Sequence, residues 1–112
     1  MRARAFLKTL PTPATSTDAL ESVYSIIKTV SIPRGAHNTS VGLETENNWP
    51  TLWTTLADSV NRLYFFQSAN SPNLFWLDFS KVNFATGAAV KSVPGNDITM
   101  NGEASSKLTV VK

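Results

Sequence analysis

The chain has 112 residues, a formal net charge of +2 and no cysteine, with 16% charged and 42% hydrophobic residues. A chain of this length buries about two-thirds of its unfolded surface, enough for one core; without cysteine it has no disulfide framework, no thiolate metal site and no thiol nucleophile of its own. Lys and Arg are scattered rather than striped, which argues against a nucleic-acid surface, and no run is long enough to span a bilayer.

Residues 2–10 are good helix formers closed off by Pro11 and Pro13, and read as the end of a longer helix. The basic start is followed by only Ala5, Phe6 and Leu7 before Lys8, too short an apolar region for a signal peptide. A second helix is predicted to begin near Asp18, with Glu21 three residues later, or a turn earlier in a box of Thr15 and Asp18. Leu20, Val23, Tyr24, Ile27 and Val30 then recur at helical spacing and form an apolar stripe that Ile26 broadens. Pro33 and Gly35 stop the pattern.

Residues 35–48 are polar and loop-like. His37, the only histidine, has no cysteine or second imidazole to complete a metal shell and reads as a solvated loop residue. Asn38-Thr39-Ser40 fits a glycosylation acceptor, a pattern that often arises by chance.

From residue 49 onward the pattern turns to strands. Residues 51–56 and 63–67 are predicted as a hairpin, joined by the turn formers Ala57, Asp58, Ser59 and Asn61. A third strand is predicted over residues 73–79, after a turn of Ser68, Ala69, Asn70, Ser71 and Pro72. The second and third runs are apolar at successive positions, Leu63 to Phe66 and Leu74 to Leu77, so both of their faces should be covered. Residues 94–106 read as a loop before a last strand-like stretch at 108–111.

Candidate chemistry is sparse. Asp58 and Asp78 border strands, where carboxylates sometimes serve as acids or bases, but no partner that would tune them is visible and turn capping is the plainer role. Ser105 and Ser106 have no glycine-framed elbow and no following histidine. Trp49, Trp53 and Trp76 offer flat faces for a stacked ligand, although their strand-like spacing beside Phe and Leu favours core positions. No residue pattern calls for a metal or cofactor.

Four segments in order resemble the C-terminal portion of the choloylglycine hydrolase family, bile salt hydrolases and penicillin V acylases, and especially its Gram-negative branch. Arg2-Ala3 and Leu7-Lys8-Thr9-Leu10-Pro11 resemble the helix end after the family's Ser-Arg-Phe signature; residues 19–35, ending Val30-Ser31-Ile32-Pro33-Arg34-Gly35, resemble its next helix and loop. Trp53-Thr54-Thr55-Leu56-Ala57-Asp58 with Asn61-Arg62-Leu63-Tyr64-Phe65-Phe66 resembles the paired strands. Asn70-Ser71-Pro72-Asn73-Leu74-Phe75-Trp76-Leu77-Asp78 and residues 84–87 resemble the strand and turn that follow.

The resemblance implies an α+β fold: a C-terminal segment of an N-terminal-nucleophile hydrolase αββα sandwich, helices followed by an antiparallel β-meander. Residues 1–112 would form one partial domain, with a helical part at 1–35 and the meander and tail at 49–112. It further implies hydrolysis of linear amide C–N bonds by an N-terminal cysteine whose own amino group takes the proton. That cysteine is absent from this chain, and the catalytic arginine is expected just upstream of Met1. Arg2 aligns with the second arginine of the signature, and only a register slip would put Arg2 or Arg4 in the catalytic place. The partners so implied are the missing N-terminal portion of the fold, a small-molecule amide substrate and, for the complete enzyme, a homo-oligomer, with no nucleic acid or membrane. Gram-negative relatives point to the periplasm for that complete enzyme. Two other classes fit the residues: a stand-alone binding module using the tryptophans, and a structural partner that completes another chain's sandwich.

Overall fold

The structure is a computed structural model that describes residues 2–33 and 50–112. Gly35, the loop at 35–48 with His37 and the Asn38-Thr39-Ser40 triplet, and Trp49 lie outside the described residues. The chain forms two compact units, Met1–Leu52 and Trp53–Lys112.

In the first unit, helix α1 (Arg2–Thr9) packs against helix α2 (Ser16–Val30). The start of α2 is the earlier of the two boxes considered. Thr15 is the N-cap: its hydroxyl accepts from the Asp18 N–H at 3.1 Å and the Asp18 carboxylate accepts from the Thr15 N–H at 3.0 Å. Asp18 is therefore an inner partner, not the cap, and two otherwise free donors are satisfied reciprocally. The helix ends at Val30 because Ser31 is extended, with φ −69° and ψ 135°, and Ile32, which precedes Pro33, is disfavoured in helix. The buried residue of α2 is Ile26, at 7% exposure, whereas Val23 and Val30 of the predicted stripe are exposed. The inward face is thus rotated toward the residue first read as peripheral.

In the second unit, β1 (Trp53–Asp58), β2 (Leu63–Ser68) and β3 (Phe75–Asp78) form the expected antiparallel meander. The stretch at 94–106, read as loop, departs from expectation. Within it β5 (Gly102–Glu103) pairs parallel to β3 and completes a sheet of order β1-β2-β3-β5. Gly102 enters that strand at φ +68°, a left-handed conformation that glycine adopts without a Cβ penalty. β4 (Lys91–Ser92) and β6 (Thr109–Val110) form a separate antiparallel pair.

Residues paired directly across strands share a face, so Phe66, Phe75, Tyr64 and Leu77 lie on one side of the sheet and Leu56, Phe65 and Trp76 on the other. The first side carries the core: Phe75, Met100 and Ala104 are buried, with Phe66, Leu77 and Val93 against them. Gly95 lies over Phe66 so closely that a Cβ would sit 3.1 Å from the ring Cζ. On the other side Phe65 and Trp76 pack ring to ring at 5.7 Å, both half-buried.

Candidate functional site

Asp58 closes β1 and is buried. Its Oδ1 accepts from the N–H groups of Val60 and Asn61, each at 3.0 Å, and its Oδ2 accepts from the Asn61 side-chain amide at 2.6 Å. These bonds, first the Asn61 N–H, then the Asn61 amide, with Val60 adding, hold its carboxyl below the usual range against the opposing effect of burial. They also fix the loop that ends at Arg62, a non-glycine residue at φ 58° whose carbonyl accepts from the Phe79 N–H at 2.9 Å.

Asp78 ends β3 and caps a single 3-10 turn at Phe79–Lys81. Its carboxylate accepts from the Ser80 hydroxyl and N–H, contacts that lower its pKa, with Lys81 and Arg62 adding. Lys81 Nζ sits 3.8 Å from Asp78 Oδ2 and 3.2 Å from Glu103 Oε2. Glu103 accepts the Ser105 N–H at 2.8 Å, and the Ser105 hydroxyl accepts the Asp78 N–H at 2.8 Å. The ring of Asp78, Lys81, Glu103 and Ser105 joins the end of β3 to the tail. Ser105, examined in the sequence as a nucleophile, is occupied as a structural acceptor.

Chemically, these carboxylates are poor proton donors. Asp58, Asp78, Asp97 and Glu103 are all held below their ordinary values, hence ionised and acceptor-only at neutral pH, whereas a general acid or base works best with a pKa near the operating pH. Burial raises the Tyr24 phenol, so it stays neutral. No group of three or more metal-ligating side chains occurs among the described residues.

Trp53 and Trp76 do not form a joint platform. Trp53 pairs with Ser68 and Trp76 with Phe65, one strand position of opposite parity, so the indoles lie on opposite faces. Arg2 opens α1, and Arg4 on the same helix is exposed. A groove of about 370 Å3, lined by Leu77, Val82, Phe84, Val90 and Leu108 with Asn83 and Lys91, lies along the strap after β3. It can hold an apolar group, but no carboxylate or imidazole lines it.

The polar contacts coincide with the motif residues that carried the resemblance. Asp58 and Asn61 make the hairpin turn. Ser71 and Asn73 of Ser71-Pro72-Asn73 both reach the Ile98 carbonyl, the Asn73 amide at 2.9 Å and the Ser71 hydroxyl at 3.4 Å, and tie the β2–β3 turn to the tail. Residues 1–99 match the linear amide C–N hydrolases, choloylglycine hydrolase family.

The chain belongs to the choloylglycine hydrolase family. It is 38% identical over 90 residues to a penicillin V acylase of Pectobacterium atrosepticum, a stretch that covers 77% of this chain and 23% of that protein. It is similar in structure to penicillin V acylase from Agrobacterium tumefaciens, with a TM-score of 0.82 and 31% identity, over 99% of this chain and 35% of that one. The chain therefore spans between 23% and 35% of these relatives. Its helices and meander are a segment of the N-terminal-nucleophile hydrolase fold, as the resemblance implied. Sequence reasoning missed Lys81, Glu103 and the pairing of β5, because these residues meet only through non-local contacts and carry no local signal.

Proposed function

We propose that these 112 residues are the scaffold segment of an enzyme that hydrolyses linear amide C–N bonds, and that the reacting groups lie outside them. The observation that carries this reading is the state of the motif residues. Asp58, Asn61, Ser71, Asn73, Asp78 and Ser105 are all engaged in turns and tail contacts, and the chain has no cysteine.

In the complete enzyme an N-terminal cysteine thiolate attacks the amide carbonyl while its own amino group takes and returns the proton. The C–N bond then breaks, the amine leaves with that proton, and water releases the acyl group. Substrates of this class include phenoxyacetyl penicillins, in keeping with the printed names of the relatives, and also conjugated bile acids and acyl homoserine lactones. The partner of this segment is the remaining portion of the same fold, and the catalytic arginine belongs to that portion, with Arg2 as the neighbouring second arginine.

The test is an amine-release assay of the purified 112-residue chain on penicillin V, a glycine-conjugated bile acid and an acyl homoserine lactone. No turnover is expected. Turnover of any of the three by a chain without cysteine would overturn the assignment of chemistry to groups outside it.

A further inference from the structure

β1 lies at the edge of its sheet, paired along all six residues with β2 and, among the described residues, with no strand on its other side. Which of its backbone groups face outward follows from the ladder. The Phe79 N–H donates to the Arg62 carbonyl, so Arg62 points at β3. In an antiparallel sheet this direction alternates residue by residue, which turns Leu63 toward β1. Asp58, Leu56 and Thr54 therefore bond to β2, while Trp53, Thr55 and Ala57 present their N–H and C=O groups to the open side. The same alternation sends Trp76 toward β5, where its carbonyl accepts from Ala104 at 2.9 Å.

This edge has none of the usual protections. It contains no proline, lysine or bulge, devices that otherwise block a second chain. It also carries an exposed indole, Trp53, at 58%.

We propose that β1 is the docking edge for a second copy of this chain, joined antiparallel about a two-fold axis through Thr55. Each copy has three outward residues, and each of these offers one donor and one acceptor, so three pairs with two bonds each make six hydrogen bonds. The register is self-complementary. Trp53 of one copy lies opposite Ala57 of the other, bulky against small on one face, Thr54 lies opposite Leu56 on the other face, and Thr55 meets its own copy. The strand's one charged residue, Asp58, falls opposite a position just before the strand, so like charges do not meet.

The experiment is sedimentation equilibrium of the purified chain across a wide concentration range, with Thr55→Pro, Leu56→Pro and Ala57→Lys. The wild type is expected to dimerise. Thr55→Pro removes two outward donors per dimer without touching the β1–β2 ladder, so it should keep the folded circular dichroism and weaken the dimer about tenfold or more. Ala57→Lys should weaken it similarly through the edge lysine, and Leu56→Pro should unfold the sheet. A strictly monomeric wild type overturns the proposal, and so does a monomer whose β1 amides are all protected from exchange, which would place another segment on the edge. A dimer that Thr55→Pro and Ala57→Lys leave intact, or a Thr55→Pro chain that unfolds as Leu56→Pro does, overturns it equally.

Discussion

Asp58 and Asp78 stand at the same end of the sheet, each paired in register with Leu63 of the strand between them, and each spends its carboxylate on the turn that follows. Because their folded-state pKa values are lowered, the stability they contribute is fully present above the unfolded value of about 3.9 and is lost as pH falls through the lower folded values. Chemical denaturation at stepped acidic pH should therefore show stability falling below that point. Asp58→Asn should be less stable at neutral pH and should lose less on acidification; an unchanged slope would assign the acid loss elsewhere. Arg62 is a separate case, since φ 58° costs an ordinary residue about 1–2 kcal/mol while glycine adopts it freely. Arg62→Gly should raise stability by up to about 1 kcal/mol after the entropy of the unfolded glycine is subtracted, and Arg62→Val should lower it, both read from denaturation midpoints. The aspartates were recognisable as turn residues in the sequence, because such side chains bond their own following N–H groups. Nothing local marked Arg62 as left-handed.

At the level of elements, what could be read depended on how far apart the interacting residues lie. The hairpin and the third strand were legible from turn formers and apolar runs, with ends displaced by a residue or two. The capping box was legible as two overlapping candidates that only the geometry of Thr15 separates. Thr15→Ala should accordingly cost about 1 kcal/mol, measured as helical signal against urea, whereas Glu21→Ala, remote from the cap, should change little. The apolar stripe of α2 gave the right period but not the direction of its face, since helical spacing alone does not say which of several adjacent apolar rows points inward. β5 was not legible at all. A two-residue strand whose partner lies 27 positions away in sequence, as Phe75 and Gly102 do, has no periodicity to detect. Yet the tail around it supplies Met100, at 3% exposure, and Ala104 to the core. Met100→Ala should therefore cost about 2–5 kcal/mol in urea unfolding, and a cost near zero would show that the tail does not hold the sheet.

For the whole molecule, family membership was legible because the motif residues that hold turns and tail together are spread along the chain in a fixed order. The reacting groups were not, since the residues that would name them do not occur in it. Fifteen large hydrophobic side chains are exposed, Phe84 at 71% and Val90 at 73% among them, which accords with a segment that spans 35% of its structural relative and packs against more of the same fold. The account's central claim is that this chain supplies the frame of an amide hydrolase and not its chemistry. The most direct measurement is penicillin V hydrolysis by the Agrobacterium tumefaciens relative after its matching segment has been replaced with residues 1–112, with folding checked by circular dichroism. The account predicts turnover that a cysteine alkylating agent abolishes and that Arg2→Ala leaves within a few-fold. A folded chimera with no turnover, or turnover that persists after alkylation, would contradict it.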